Sequence, residues 1–142
     1  MRQWQRGIVA ICILALAAPA LAGGYRNSIS TDLVGWGLLE PNVSYERRMS
    51  NLFSVSGSVS FDARAPDQGI VATPHLNFYP TGALREGYLL QVGAYLPTEG
   101  DILAEFGAGH AFWVDRMHLT PAARIRHDGS YQVRLDLGYG WY

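Results

Sequence analysis

The stretch "LFSVSGSVSF", Leu52 to Phe61, alternates strictly between two kinds of side chain. One parity is apolar apart from a glycine: Phe53, Val55, Gly57, Val59 and Phe61. After Leu52, the other parity is entirely serine, at positions 54, 56, 58 and 60. A period of two predicts a β-strand with one apolar and one polar face. In a soluble sheet the apolar face packs on a core, whereas in a membrane barrel it faces lipid and the serines face a polar lumen. The stretch therefore predicts a strand and leaves open which face meets water.

The start of the chain has the three parts of a secretory signal. Arg2 and Arg6 form a basic beginning, Gly7 to Leu16 is an apolar run, and Ala20 to Ala22 is an A-x-A cleavage site. The apolar run is too short to cross a bilayer as a helix. We therefore expect residues 1–22 to be a cleaved leader and residues 23–142, a length suited to one domain, to be the mature protein.

Charge and cysteine content exclude several classes of function. The one cysteine, Cys12, lies in the predicted leader, so the mature chain would have no disulfide, thiol nucleophile or cysteine-bound metal. Loss of Arg2 and Arg6 leaves nine arginines against 12 acidic residues, a net charge of −3, with no lysine and no basic run. This charge distribution excludes the electrostatic footprint of a nucleic-acid-binding protein. No motif indicates a cofactor.

Turn residues divide the mature sequence into eight segments with strand periodicity. The predicted strands are Asn27 to Leu39, Val43 to Arg48, Phe53 to Phe61, Gly69 to Tyr79, Tyr88 to Leu96, Ile102 to Trp113, Met117 to Arg126 and Tyr131 to Trp141. An even number of alternating segments of about ten residues with short connections is the signature of an outer-membrane barrel. The predicted fold is therefore an all-β, eight-stranded, antiparallel up-and-down transmembrane barrel. A soluble lipocalin-like barrel, with the apolar parity turned inward, is the alternative fold.

The aromatic residues of the apolar parity favour the membrane interpretation because they sort by height. If the first strand rises from the periplasm, one belt lies at the periplasmic end: Phe53, Phe78, Tyr88, Phe112, Tyr139 and Trp141. Phe61 and Tyr131 begin a second belt at the other end. Phe53 and Phe61 would lie about 26 Å apart along a strand, or roughly 20 Å apart in height at a tilt of about 40°, and the expected apolar band between aromatic girdles is about 25 Å tall.

Charged residues of the polar parity balance in sign. There are four acids and four arginines: Asp32, Glu46, Arg48, Glu105, Arg124, Arg126, Arg134 and Asp136. An eight-stranded barrel has an interior just wide enough for side chains to fill it, and buried charges require partners. We expect these residues to form an ionic plug in the lumen, with Glu46, Glu105, Arg124 and Arg134 within salt-bridge reach of one another.

The last strand, "YQVRLDLGYGWY", carries an apolar parity that ends in Tyr139 and Trp141, with Tyr142 after it. It resembles the terminal strand by which outer-membrane barrels are recognised for assembly. The mature chain resembles the small eight-stranded barrels of the OmpA transmembrane domain and OmpX class, and its opening, "NSISTDLVG" and "NVSYERRMSNLFSV", is similar to uncharacterised proteobacterial barrels of this size. The resemblance implies the bacterial outer membrane, contact with its lipids and recognition by the barrel-assembly machinery. It implies no activity, and the oligomeric state stays open.

Some residues fit the strand pattern poorly. Pro74 and Pro121 lie inside predicted strands of a barrel without edges, so each predicts a bulge or a strand end. Trp36 falls on the lumen parity and His110 on the lipid parity. Nearby glycines, at positions 35, 37, 107 and 109, predict bulges that would exchange the two faces.

Two groups of residues raise the question of chemistry. His127, Asp128 and Ser130 in the "HDGS" turn could serve a lipid-modifying enzyme of the deacylase or palmitoyltransferase kind, but Asp-Gly is also what a tight hairpin requires. His75 and His118 share the lumen parity, but a metal would need further ligands. We expect no catalytic or metal site. The leading interpretation is a structural or partner-binding envelope barrel, and the alternatives are a narrow pore or small-ligand carrier and a lipid-modifying enzyme.

Overall fold

The computed structural model describes residues 27–63, 69–81 and 87–141. The predicted leader, Cys12 and Tyr142 lie outside the described residues. The elements are β1 (Asn27–Asp32), α1 (Leu33–Gly37), β2 (Asn42–Arg48), β3 (Phe53–Phe61), β4 (Ile70–Phe78), β5 (Gly87–Pro97), β6 (Leu103–Val114), β7 (Met117–Arg126) and β8 (Tyr131–Trp141). The predicted strands from β2 onward are found within one residue at each end.

Each strand pairs antiparallel with the next, and the sheet closes on itself. The closing pair joins β1 to β8, from Asn27 opposite Trp141 to Asp32 opposite Asp136. Closure leaves the barrel without a continuous free edge, which is how β-proteins avoid edge-to-edge association. The prediction of an eight-stranded, antiparallel up-and-down barrel is confirmed.

The strands are strongly staggered around the barrel. Followed from Asn27 through successive neighbours, the register reaches Tyr131 in β8, whereas Asn27 itself pairs with Trp141, ten residues further on. With a rise of about 3.3 Å per residue and strands about 4.8 Å apart, this stagger tilts the strands by about 40°. The interior then has room for side chains and for small cavities.

The first predicted strand is wrong beyond Asp32. The Asp32 carboxylate accepts a hydrogen bond from the Val34 backbone N–H at 3.0 Å and caps α1, so the chain turns into a single helical turn. Trp36 therefore does not follow the lumen parity; it is 56% exposed, and its indole N–H donates to the Thr31 hydroxyl at 2.6 Å. Among the described residues, no helix is long and apolar enough to cross a membrane.

The expected bulges at the prolines are not found. Pairs on either side of Pro74 and of Pro121 keep one register, although pairing with one neighbour is interrupted beside each proline. The neighbouring strand has a glycine beside each interruption. A Cβ on Gly93 would lie 2.1 Å from the Pro74 carbonyl oxygen, and a Cβ on Gly109 would lie 2.7 Å from the Pro121 carbonyl oxygen. Close backbone approach thus accommodates each proline. His110 consequently keeps its outward position, its ring between those of Tyr88 and Phe112.

The two faces of the barrel wall differ sharply in polarity. Ser54 and Ser58 are 1% and 7% exposed and face inward, so the serine parity of β3 lines the interior. The outward parity of β3 to β8 carries no acidic residue and no arginine. Large apolar side chains on this face are half exposed, for example Leu90, Phe106 and Ile125. The outward face of these strands is therefore apolar, and the inward face is largely polar.

Candidate functional site

The interior of the barrel is the candidate site, because the buried charged side chains of the strands meet there. Glu105 of β6 is fully buried and contacts one histidine and two arginines. One carboxylate oxygen, Oε1, lies 2.8 Å from His75 Nε2 and 3.4 Å from Arg124 Nη1. The other, Oε2, accepts from Arg126 Nε at 3.0 Å. A single carboxylate thus joins β4, β6 and β7 across the lumen.

A second ionic group surrounds Arg134 of β8, whose side chain is 3% exposed. Its Nη2 donates to Asp136 at 2.7 Å, and its Nε lies 3.6 Å from Asp32 Oδ2. Nη2 also donates to the Ser44 hydroxyl at 3.3 Å and to the Asn42 side-chain oxygen Oδ1 at 3.5 Å. This group ties β8 to β1 and β2, on either side of the barrel closure.

Neutral side chains continue the network around the lumen. Arg124 Nε donates to Gln91 at 3.0 Å, and Gln91 donates to Asn77 at 2.9 Å. The Asn77 amide in turn donates to Ser54 at 2.9 Å and to Ser56 at 3.0 Å. Ser54 and Ser56 of β3 are therefore hydrogen-bond partners of larger lumen side chains, for which the small serines leave room.

Glu46 does not join the arginines as expected. Its Oε1 accepts from the Tyr79 hydroxyl at 2.6 Å, from Asn77 at 3.3 Å and from Ser54. The physical reason is the stagger of the strands, which sets Glu46 in the half of the lumen towards Tyr79, away from Glu105. Arg48 also lies apart from the ionic groups: it donates to the Ser50 carbonyl at 3.1 Å and to Asn51, in the β2–β3 turn.

Two cavities occupy the lumen on either side of Glu105. The larger, of about 200 Å³, lies towards the end where β7 turns into β8 and is lined by Asn42, Ser60, Tyr95, Arg126, Gln132 and Arg134 among others. The smaller, of about 40 Å³, lies towards the chain termini and is lined by Glu46, His75, Tyr79, His118, Arg124 and Asp136 among others. Since Glu105 binds Arg126 of the first cavity and both His75 and Arg124 of the second, its ion pairs separate the two.

Trp113 and His118 fill the lumen nearest the termini. Their rings lie 4.5 Å apart, and His118 Nδ1 is 3.2 Å from the Thr120 hydroxyl. A Cβ on Gly138 would lie 2.1 Å from His118 Nε2, so glycine is what admits the imidazole. The sequence analysis did not identify Trp113 or Tyr79 as lumen residues, although Trp113 shares the parity of Glu105.

The eight predicted belt aromatics all lie on the outward face of the strands. Phe53 and Phe78 pair across β3 and β4 with ring centroids 5.2 Å apart. This end of the barrel also carries Tyr88, Phe112, Tyr139 and Trp141, and the opposite end carries Phe61 and Tyr131. Tyr88 and Tyr131 are the most exposed of the set, at 66% and 80%.

The "HDGS" turn has the geometry of a tight hairpin. The Ser130 hydroxyl and backbone N–H both donate to Asp128, at 2.7 Å and 2.9 Å, and these bonds lower the pKa of the Asp128 carboxyl. His127 Nδ1 accepts instead from the Ala104 backbone N–H at 3.0 Å. The serine is thus paired with the acid and the histidine with the neighbouring strand, so no histidine activates the serine in this turn. Within the described part of the chain, no three histidine, cysteine or acidic side chains gather as metal ligands.

Comparison of the chain with protein-family models, with curated proteins and with solved structures finds no match.

Proposed function

We propose that this protein is an outer-membrane β-barrel with a structural or partner-binding role, whose lumen is closed by an ionic and hydrogen-bonded plug. The observation that carries the proposal is the outward face of β3 to β8, which is free of acids and arginines and presents half-exposed aliphatic and aromatic side chains. Monomeric soluble proteins rarely expose contiguous apolar patches above a few hundred Å². A continuous apolar band on the outer face is typical of a barrel that spans a bilayer.

The dimensions of the band agree with a membrane. Tyr131 and Trp141 stand at opposite ends of β8, ten residues apart. At about 3.3 Å per residue and a tilt of about 40°, they are separated by about 25 Å in height, the expected thickness of the apolar band between aromatic belts. The outward Tyr139 and Trp141 at the end of β8 also support recognition of this strand by the barrel-assembly machinery.

The lumen supports a closed barrel better than a narrow pore. A conducting path would have to pass Glu105, which is fully buried and bound to side chains from two strands. We expect the wild-type protein to give no stable channel in a planar bilayer. The quadruple variant Glu105→Ala, Trp113→Ala, Arg124→Ala, Arg126→Ala, which joins the two cavities and also removes the ring that fills the lumen nearest the termini, is expected to conduct small ions. Steady wild-type conductance would favour the pore.

The membrane location is tested by expressing the full chain in a Gram-negative host and fractionating the envelope. We expect the protein in the outer-membrane fraction, with a heat-sensitive shift in gel mobility that marks a folded barrel. Purified protein should refold in phosphatidylcholine vesicles and aggregate in buffer without lipid or detergent. A folded, monodisperse protein in plain buffer would refute the proposal and favour the soluble barrel.

A further inference from the structure

The barrel wall lacks strand pairing above the end of β1. β1 has six residues and pairs with β8 only from Asp136 to Trp141. Residues 131–135 of β8 therefore have no strand beside them on that side, and the Leu135 backbone N–H donates to the Asp32 side chain instead, at 2.9 Å. On the opposite side, β2 pairs with β1 through Ser44 and extends beyond it to Asn42.

The one-turn helix α1 covers this opening. Gly35 is buried against the wall, where an added Cβ would lie 2.7 Å from the Glu40 carbonyl oxygen and 3.1 Å from the Asp32 carboxylate. The outer side of the segment is apolar, with Leu33 41% and Trp36 56% exposed. A single helical turn replaces a hydrogen-bonded strand here, so moving it breaks far fewer bonds than separating two strands.

The larger cavity lies directly behind this cover. Asn42, on the β2 margin of the opening, and both Gln132 and Arg134, on the β8 margin, line it. Arg134 is buried, and its Nε has no hydrogen-bond partner in the described structure, its nearest acid being Asp32 at 3.6 Å. The opening therefore leads from the outer face of the wall to a polar chamber with hydrogen-bonding capacity to spare.

The opening lies just inside the aromatic belt at that end of the barrel. Val133, 57% exposed, is the outward residue beside it, and Tyr131 of the belt stands next along β8. In a membrane this height is the border between the hydrocarbon and the headgroups. A lipid in the adjacent leaflet would meet the opening with its headgroup and keep its chains against the outer wall.

The chemistry of the cavity favours an uncharged, hydroxylated headgroup. Hydroxyl and carboxamide groups of Ser60, Gln132 and Asn42 line it and both donate and accept. The carboxylates of Glu40 and Asp62 also line it; they can accept from sugar hydroxyls and do not attract a phosphate. The arginines are already paired, Arg126 with Glu105 and Arg134 with Asp136, so no uncompensated cation awaits a phosphate. The Tyr95 ring is covered by the Arg126 guanidinium, 4.0 Å from its centroid, which removes the aromatic face that a quaternary ammonium group would need.

We propose that this cavity binds the sugar headgroup of a neutral glycolipid, which enters sideways between β2 and β8 when α1 moves and the long bonds from Arg134 to Asn42 and Ser44, at 3.5 and 3.3 Å, open. The proposal rests on the membrane location proposed above. The lipid chains stay outside, against Val43 and Val133, while the sugar hydroxyls bond to the lining amides and hydroxyls.

Quenching of Trp36 by brominated lipids tests the site, because Trp36 stands on the cover. The variant Trp113→Phe, Trp141→Phe leaves Trp36 as the mature protein's one tryptophan. The folded barrel is prepared in phosphatidylcholine vesicles that contain brominated monoglucosyl diacylglycerol, brominated phosphatidylglycerol or brominated phosphatidylcholine. We expect half-maximal quenching at a mole fraction at least about tenfold lower for the glucolipid, equivalent to about 1.4 kcal/mol of preference. A second variant, Trp36→Phe, Trp113→Phe, leaves Trp141 at the opposite belt and should show no preference.

Matched variants separate the cavity from the cover. Ser60→Ala with Gln132→Ala should raise the half-maximal mole fraction about tenfold, as expected for two lost hydrogen bonds. Ser56→Ala, which removes a hydroxyl from the smaller cavity of the same barrel, should leave it unchanged. Gly35→Ala should speed the onset of quenching several-fold by displacing α1, whereas Gly37→Ala, whose Cβ would meet nothing within 4 Å, should not.

The outcomes distinguish this proposal from the membrane proposal. A protein that does not insert into vesicles fails the membrane location itself. A protein that inserts with a normal heat shift, but whose Trp36 responds equally to the three lipids or most strongly to phosphatidylglycerol, refutes the glycolipid site alone. Soluble methyl glucoside is then added as a competitor of the brominated glucolipid. Relief of Trp36 quenching at a methyl glucoside concentration equal to that of the glucolipid would refute sideways entry.

Discussion

Replacing Glu105 by glutamine tests the interior network at the acid that pairs with two arginines. The side chain is fully buried, and its two oxygens serve His75, Arg124 and Arg126 at 2.8 to 3.4 Å. The amide keeps the volume and removes the charge, so two guanidinium groups lose their anion in the lumen. Breaking a buried ion pair by removing one partner costs about 3–5 kcal/mol, and the exposure of Arg126 towards the larger cavity places the expected loss near the lower limit, about 3 kcal/mol.

The assay is urea unfolding in phosphatidylcholine vesicles, followed by the fraction of protein that keeps the mobility of the folded form on an unheated gel. Asp101→Asn is the control, because it makes the same chemical change at an exposed turn residue before β6 and should stay within about 0.5 kcal/mol of wild type. The double variant Glu105→Gln, Arg124→Gln should recover part of the loss, since one of the stranded cations is gone.

A Glu105→Gln protein as stable as Asp101→Asn would refute the reasoning, because it would mean that lumen water screens the arginines as well as the carboxylate does. The reasoning would also be contradicted if the double variant lost more free energy of unfolding than the two single variants lose together.

Two further predictions concern the outer face and the tight packing near the termini. Val92→Arg, at the middle of β5, should cost about 2–4 kcal/mol in vesicles and Val114→Arg, at the belt, about 0–1 kcal/mol; equal small losses, as for exposed positions of a soluble protein, would contradict a lipid-facing wall. Gly138→Ala should destabilise the barrel by about 1–3 kcal/mol, because its Cβ would lie 2.1 Å from His118 Nε2 and 2.7 Å from the Ile29 carbonyl oxygen. Its control, Gly37→Ala, should leave the free energy of unfolding unchanged. If the Gly138→Ala protein unfolds at the same urea concentration as wild type, the lumen can relax around His118 and the prediction is wrong.

Alternation of residue types was enough to predict most of the barrel. The two faces of a strand meet different environments in a soluble barrel and in a membrane barrel alike, so both barrels produce the same alternation. β3, β7 and β8 have the predicted ends, and the serines and the buried acids take the predicted face. The belt aromatics follow from the same parity, since an outward position stays outward along an unbroken strand.

The end of β1 could not be predicted from parity. The first strand was predicted to run through "STDLVGWG", although Trp36 fits its alternation poorly, but a hydrogen bond from the Val34 N–H to the Asp32 side chain turns the chain into α1. A sequence does not distinguish an Asp that caps a helix from an Asp that faces a lumen. Asp32 does both, because β8 lies beside it and the Leu135 N–H donates to the carboxylate that caps α1.

The sequence alone determined the number of strands, their faces and the presence of balanced interior charge, because these depend on local periodicity and composition. The tertiary structure decided which charges meet. The ten-residue stagger brings Glu105 to His75, Arg124 and Arg126, sends Glu46 to Tyr79, and gathers Asn42, Gln132 and Arg134 around a cavity behind α1. Partners across a closed barrel depend on the sum of the registers of all eight strand pairs, and no local pattern carries that sum.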